Sequence, residues 1–185
     1  MPTCLEVITE YLSNSISAER SIETQFRSCS KDGDDAEVQS FFETSANGAS
    51  MHAESLDNRL ASLKGKEEHR SRSLLAEMFS MAPKAAQIGH IAEERIAQNL
   101  IKGFSLSKSA CAMYLALQSA ARAARDEKTA ELASQLAAEE ETAAEHFWHF
   151  LPSRSKIAYN MLTAGEIDPA IETRAPDDRL TETMP

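Results

Sequence analysis

Aromatic side chains make up only 6% of this 185-residue chain, and it holds a single tryptophan. Glycine and proline number six each. So few turn-formers and so few β-favouring rings argue against a sandwich or barrel of many short strands. Cysteine is scarce as well. Cys4, Cys29 and Cys111 are odd in number and fit neither a zinc-site spacing nor a disulfide framework, so they read as reduced thiols of a cytoplasmic protein. Positive charge is in deficit: 19 Lys and Arg stand against 29 Asp and Glu, a net −10. That balance, with no basic patch interleaved with aromatics, excludes a phosphate-binding surface and hence nucleic acid as the expected partner. No apolar run approaches a membrane span, so no membrane association is expected. MPTCLEVITEYL has neither a basic start nor an apolar stretch behind it, so a signal peptide is not expected.

What is present is alanine, charge and helical spacing. Over residues 4–29 the seam runs Ile8, Leu12, Ser15, Glu19, Ile22, Phe26, in steps of four and three. KDGDD (31–35) breaks it, and Asp34 or Asp35 can cap the next helix. That helix, about 35–63, carries Val38, Phe42, Ser45, Ala49, His52, Leu56, Leu60 and Leu63 on one face. Two such helices, each ~40 Å long at 1.5 Å per residue, must lie antiparallel across so short a turn. Gly65 ends the second. KEEHRSRSLLAEMFSM (66–81) reads as a shorter crossover helix, bounded by Pro83.

A third long helix spans about 91–125, with Ile96, Leu100, Phe104, Ser107, Cys111, Tyr114, Gln118 and Ala121 inward. Gly103 marks a kink or a close helix approach. After a tight turn at RDEK (125–128) a fourth helix carries Leu132, Leu136, Glu139 or Glu140, Ala143, Phe147 and Phe150. Pro152 is expected to stop it, and Ser153 to cap a further short helix, RSKIAYNML. The last 20 residues hold six acids and three prolines, the composition of a solvated tail. The fold class is therefore all-α: a ferritin-like antiparallel four-helix bundle over 1–164 with a short crossover helix, then an acidic tail over 165–185.

Such a bundle holds two metals on inward carboxylates and histidines, because hard or borderline cations take oxygen and imidazole ligands. Glu19 sits in the first seam, where a charge is costly unless paired. A ligand role and a packed stem with its head at a partner both fit it. His52 is the candidate on the second helix, as a ligand or as a hydrogen-bonded core residue; Glu54 faces away. On the fourth helix Glu140, four after Leu136 and seven before Phe147, fits the seam better than Glu139. His146 and His149, in HFWHF, belong to a surface or a helix end. The third helix offers nothing ionisable at mid-height but Cys111 and Tyr114, which read as core.

The order and spacing of ISAERSIETQFR (16–27), DDAEVQSFFE (34–43), HAESLDNRLASLKG (52–65), APKAAQIGH (82–90), EERIAQNL (93–100), SACAMYLAL (109–117) and AAEEETAAEHFWHFLPSRSKIAYNML (137–162) resemble the ferritin-like family typified by the bacterial stress proteins YciE and YciF. The resemblance implies a potential two-metal site and dimer formation, and little defined biochemistry. Glu19, His52, Glu139 and Glu140 match its pattern and form the candidate metal set, for iron or manganese if any metal is held. Gly48, Ser107, Ala110 and Leu115 stand where the pattern has acids. With the stress association that the resemblance implies, the reading favoured is a structural, assembly or binding protein with a depleted site, expected as a homo-oligomer, a dimer or larger. The alternative is an oxidase or peroxide-handling protein with a reduced ligand set. A third reading is a partner-binding bundle that uses the tail or the HFWHF end.

Overall fold

The computed structural model describes residues 2–64 and 91–163. They form four helices: α1 Cys4–Cys29, α2 Ala36–Lys64, α3 Ala92–Ala123 and α4 Glu127–Thr163. The crossover helix expected over 66–81 and the tail over 165–185 lie outside the described residues. Among those described, no helix is long and apolar enough to cross a membrane.

Local chemistry sets the helix ends. Thr3 and Glu6 make a reciprocal capping box at the start of α1. Gly33 takes φ +88°, and a Cβ there would lie 2.6 Å from Ile96 Cγ1, so the turn needs glycine for both backbone and space. Of the two candidate caps, Asp35 does the work: its Oδ1 accepts from the backbone N–H groups of Glu37 and Val38. Arg125 (φ 60°) turns the chain into α4, where Asp126 Oδ1 accepts from the Thr129 N–H.

The seams read from the sequence are the core. Leu12, Ile22, Phe26, Phe42, Leu56, Leu100, Tyr114, Leu117 and Phe147 are fully buried. Alanines share the core with them, among them the fully buried Ala18, Ala46, Ala49, Ala110, Ala133 and Ala144. Packing is most extensive within the hairpins α1–α2 and α3–α4; α1 meets α3 less, and α2 meets α4 less again. Rings crowd one end: Phe147 packs on Phe26, Phe41 and Phe42. Gly103 makes this possible, since a Cβ on it would stand 2.5 Å from the Phe147 ring. The close approach, and not a break in α3, is its role.

Two arginine clamps tie α2 to α4 at opposite ends. Arg59 bonds to Asp126 (2.5 Å) and Thr129 (2.8 Å). Arg154 reaches Asp35 (2.8 Å) and Glu37 (2.6 Å) and lies over the Phe150 ring. The second clamp bears on a correction. Pro152 does not stop the fourth helix, and Ser153 caps no new one; α4 runs unbroken through both to Thr163. A proline inside a helix loses one hydrogen bond and costs roughly 3 kcal/mol. Here Pro152 and Trp148 are both exposed, so water can serve the freed carbonyl. The turn beyond is held by the contacts of Arg154 with Asp35 and Glu37 and by the buried Ala158. Tertiary docking outweighs the local penalty.

Candidate metal centre

The polar belt lies between the two clamps. Glu19 on α1, His52 on α2 and Glu140 on α4 are buried, at 0%, 5% and 3% exposure. Each offers one ligand atom, and these atoms lie within 4.8 Å of one another. His52 Nδ1 faces Glu140 Oε1 at 3.3 Å and Glu19 Oε2 at 3.8 Å. Neither contact is aligned as a hydrogen bond: His52 Nδ1, Glu19 Oε2 and Glu140 Oε2 all lack a hydrogen-bond partner. The hydroxyls of Ser15 and Ser107 are buried and unpartnered too. Antiparallel register places Ser15, a turn before Glu19, and Ser107, two turns before Tyr114, on either side of the triad along the bundle axis. Unsatisfied buried polar atoms are few in folded proteins, and five along one seam mark a site suited to a polar guest.

Partners outside the triad hold its members in place. The Tyr114 hydroxyl donates to Glu19 Oε1 at 2.5 Å. His52 Nε2 is 2.9 Å from Glu139 Oε2, and the amide of Gln135 donates to Glu139 Oε1 at 2.9 Å. Burial, the largest influence, holds the Glu19 carboxyl above its usual range; His52 opposes this and the charge of Glu140 adds to it. Burial alone would lower the His52 imidazole, but Glu140 and Glu19 outweigh it and push it up to about 10. Burial and then the charge of Glu19 drive the Tyr114 phenol well above its ordinary range. The hydrogen bond from Gln135, with His52 adding, holds Glu139 below the usual carboxylate range.

The structure thus brings Glu19, His52 and Glu140 to one point and sets Glu139 behind His52, half-exposed. Of the EEE run, Glu140 alone turns inward; Glu141 pairs with Lys108 on the surface. Cys111 is core. Its thiol approaches the Ala137 carbonyl and Glu141, and burial, then Glu141, pushes it up to about 11. His146 and His149 are exposed, with the His146 ring edge-on to Phe41. The sequence reading missed Tyr114 as a polar member of the belt. Its seam position opposite Glu19 in an antiparallel pair was the available signal.

The described residues of the belt do not supply the ligands of a two-metal centre. On α3 the buried positions Ser107, Ala110, Cys111 and Tyr114 supply no carboxylate, and Gly48 supplies none from α2. One divalent ion does fit. Two carboxylates and an imidazole suit iron, manganese or zinc, and their charge balances the ion's.

Comparison with known proteins agrees with this architecture. E. coli stress protein YciF shares 18% identity over 88% of this chain and 99% of its own, with a TM-score of 0.69. A solved protein from Xanthomonas campestris pv. campestris shares 14% over the same fractions, with a TM-score of 0.70. At these identities the likeness shows the fold. No curated protein matches the chain. Residues 3–159 match the family described as a domain of unknown function, DUF892, and the chain belongs to that family.

Proposed function

We propose that this is a ferritin-like, YciF-like bundle whose two-metal centre is reduced to a single pocket. In this reading it holds one divalent cation, iron(II) or manganese(II), between α1, α2 and α4, and acts as a structural or binding protein. The observation that carries it is the convergence of three buried, unpartnered donor atoms from three helices. Leaving such atoms without a partner costs about 1–3 kcal/mol each. A cation removes that cost and links α2 to α4, which pack on one another far less than α1 does on α2. The bound ion would supply Lewis acidity and charge balance. The chain's own residues fix the donors: Tyr114 orients Glu19, and Glu139 orients His52.

The stress association rests on YciF, which is described as a stress protein. Cytoplasmic residence rests on the scarce cysteines, and self-association on the exposed Ile101, Leu115 and Trp148 of α3 and α4. A second reading, an oxidase or peroxide-handling protein, draws on one feature: the Tyr114 phenol on Glu19 is a proton donor beside the pocket. It lacks the bridging carboxylates of a two-metal cycle.

The test is metal content per chain after expression with iron, manganese or zinc and removal of loose ions, beside Glu19→Ala. About one equivalent that disappears in the variant supports the pocket. Under about a tenth of an equivalent in every preparation leaves the belt a metal-free polar core. Turnover of peroxide or oxygen that depends on Glu19 would favour the second reading.

A further inference from the structure

We infer that Glu139 is a positioning residue for the cation pocket and not one of its ligands, and that His52 binds through Nδ1. This rests on the pocket holding a cation. Adjacency in the sequence makes Glu139 and Glu140 look interchangeable, yet the structure gives them opposite surroundings. Both oxygens of Glu139 are engaged: Oε1 accepts from Gln135 and Oε2 stands 2.9 Å from His52 Nε2. Neither oxygen of Glu140 has a hydrogen-bond partner on the outside; Oε1 faces His52 Nδ1 and Oε2 is buried and unpartnered.

The imidazole therefore lies between an outer carboxylate and two inner ones. Glu139 carries only acceptor oxygens when ionised, so the proton between it and Nε2 belongs to the ring. With Nε2–H committed to Glu139, the nitrogen that can give up its proton to a cation and offer a lone pair is Nδ1, which points to Glu19 and Glu140. A metal-bound histidine that donates its other N–H to a carboxylate is a common outer arrangement; it fixes ring orientation and raises ligand basicity. Gln135, one turn before Glu139 on α4, holds that carboxylate in turn. The chain of contacts runs Gln135, Glu139, His52, pocket, and each link uses a different atom.

Two variants separate positioning from ligation. Glu139→Gln keeps an acceptor for Nε2–H and loses the charge; Glu139→Ala loses both. Zinc affinity is measured by competition with a chelating dye, with helical circular dichroism as the check on folding. Glu139→Ala is expected to bind zinc about 10–100-fold more weakly, and Glu139→Gln to recover most of that loss. Nitrogen NMR on histidine-labelled, zinc-loaded protein should show His52 keeping its proton on Nε2, with Nδ1 shifted by the metal. Retention of the proton on Nδ1, or a Glu139→Gln variant as weak as Glu139→Ala, overturns the assignment while leaving the pocket standing. Wild-type protein that takes up no zinc, iron or manganese overturns the pocket and the assignment together.

Discussion

The hydroxyl of Tyr114 on α3 donates to Glu19 Oε1 on α1 at 2.5 Å, and both side chains have no solvent exposure. It is the polar link from α3 to the triad carboxylates. It lets α3, which has no carboxylate in the belt, control how α1 presents one. With Oε1 taken, Oε2 is the oxygen left to face His52. Tyr114→Phe keeps the ring and removes the donor. The orphaned carboxylate oxygen should lower stability by about 1–3 kcal/mol. A urea midpoint equal to wild type would show that the bond contributes nothing.

Two glycines should respond in opposite directions to one added methyl group. Gly48 lies inside α2, and nothing comes within 4 Å of where its Cβ would be. Gly48→Ala should raise stability by about 0.5–1 kcal/mol, because alanine loses less backbone freedom on forming helix. At Gly103 the same change drives a Cβ into the Phe147 ring at 2.5 Å. Overpacking of this kind costs about 1–3 kcal/mol. Thermal melting of the two variants gives the signs directly; a stabilised Gly103→Ala would mean that Phe147 can move aside.

Acid should loosen the Arg154 clamp. The hydrogen bond from Arg154 holds the Asp35 carboxyl below its usual range, against burial and with help from the Val38 N–H. A group whose folded value is depressed contributes stability that is full above its unfolded value, about 3.9, and is lost as pH falls through the folded value. Asp126 behaves alike: burial would raise it, but Thr129 and Arg59 lower it. Wild-type stability should therefore fall below about pH 4, and Asp35→Asn should be less stable near neutrality with a shallower acid limb. Parallel acid limbs would count against the clamp. The measurement is the urea midpoint against pH in both proteins.

Helix faces were legible in the sequence because burial repeats every three or four residues; Ile8 to Phe26 lie buried where their spacing put them, as do Ile96, Leu100, Ser107, Cys111, Tyr114 and Ala121, while Phe104 and Gln118 are half-buried. Glu19 and His52 stood out as charges in an apolar seam, and Glu140 by its distance from Leu136 and Phe147. Three features escaped. Pro152 was read by its local cost, which the Arg154 contacts outweigh. Tyr114 was read as core because its polarity shows only when α1 is set against α3. On α4 the buried alanines include Ala133 and Ala144, one step from the seam positions Leu132 and Ala143, because a straight helix drifts against a fixed heptad. Each miss depends on how helices face one another, which periodicity within one helix does not encode.

The gap on α3 can be filled to ask whether it faces the pocket. Ala110 is fully buried, one turn before Tyr114 and three residues after the unpartnered Ser107. Ala110→Glu would bring a third carboxylate to a belt that already holds Glu19 and Glu140, with His52 between them. Without metal, an uncompensated buried charge should cost about 3–5 kcal/mol. The added carboxyl can escape part of this by staying protonated, so the loss should grow as pH rises. Manganese or zinc should then stabilise the variant more than it stabilises wild type, since the extra carboxylate gains only when a cation is present. A variant that melts like wild type without metal and gains no more from added metal would show that position 110 points away from the belt. The small residues of SKSACAMYL would then serve helix packing alone.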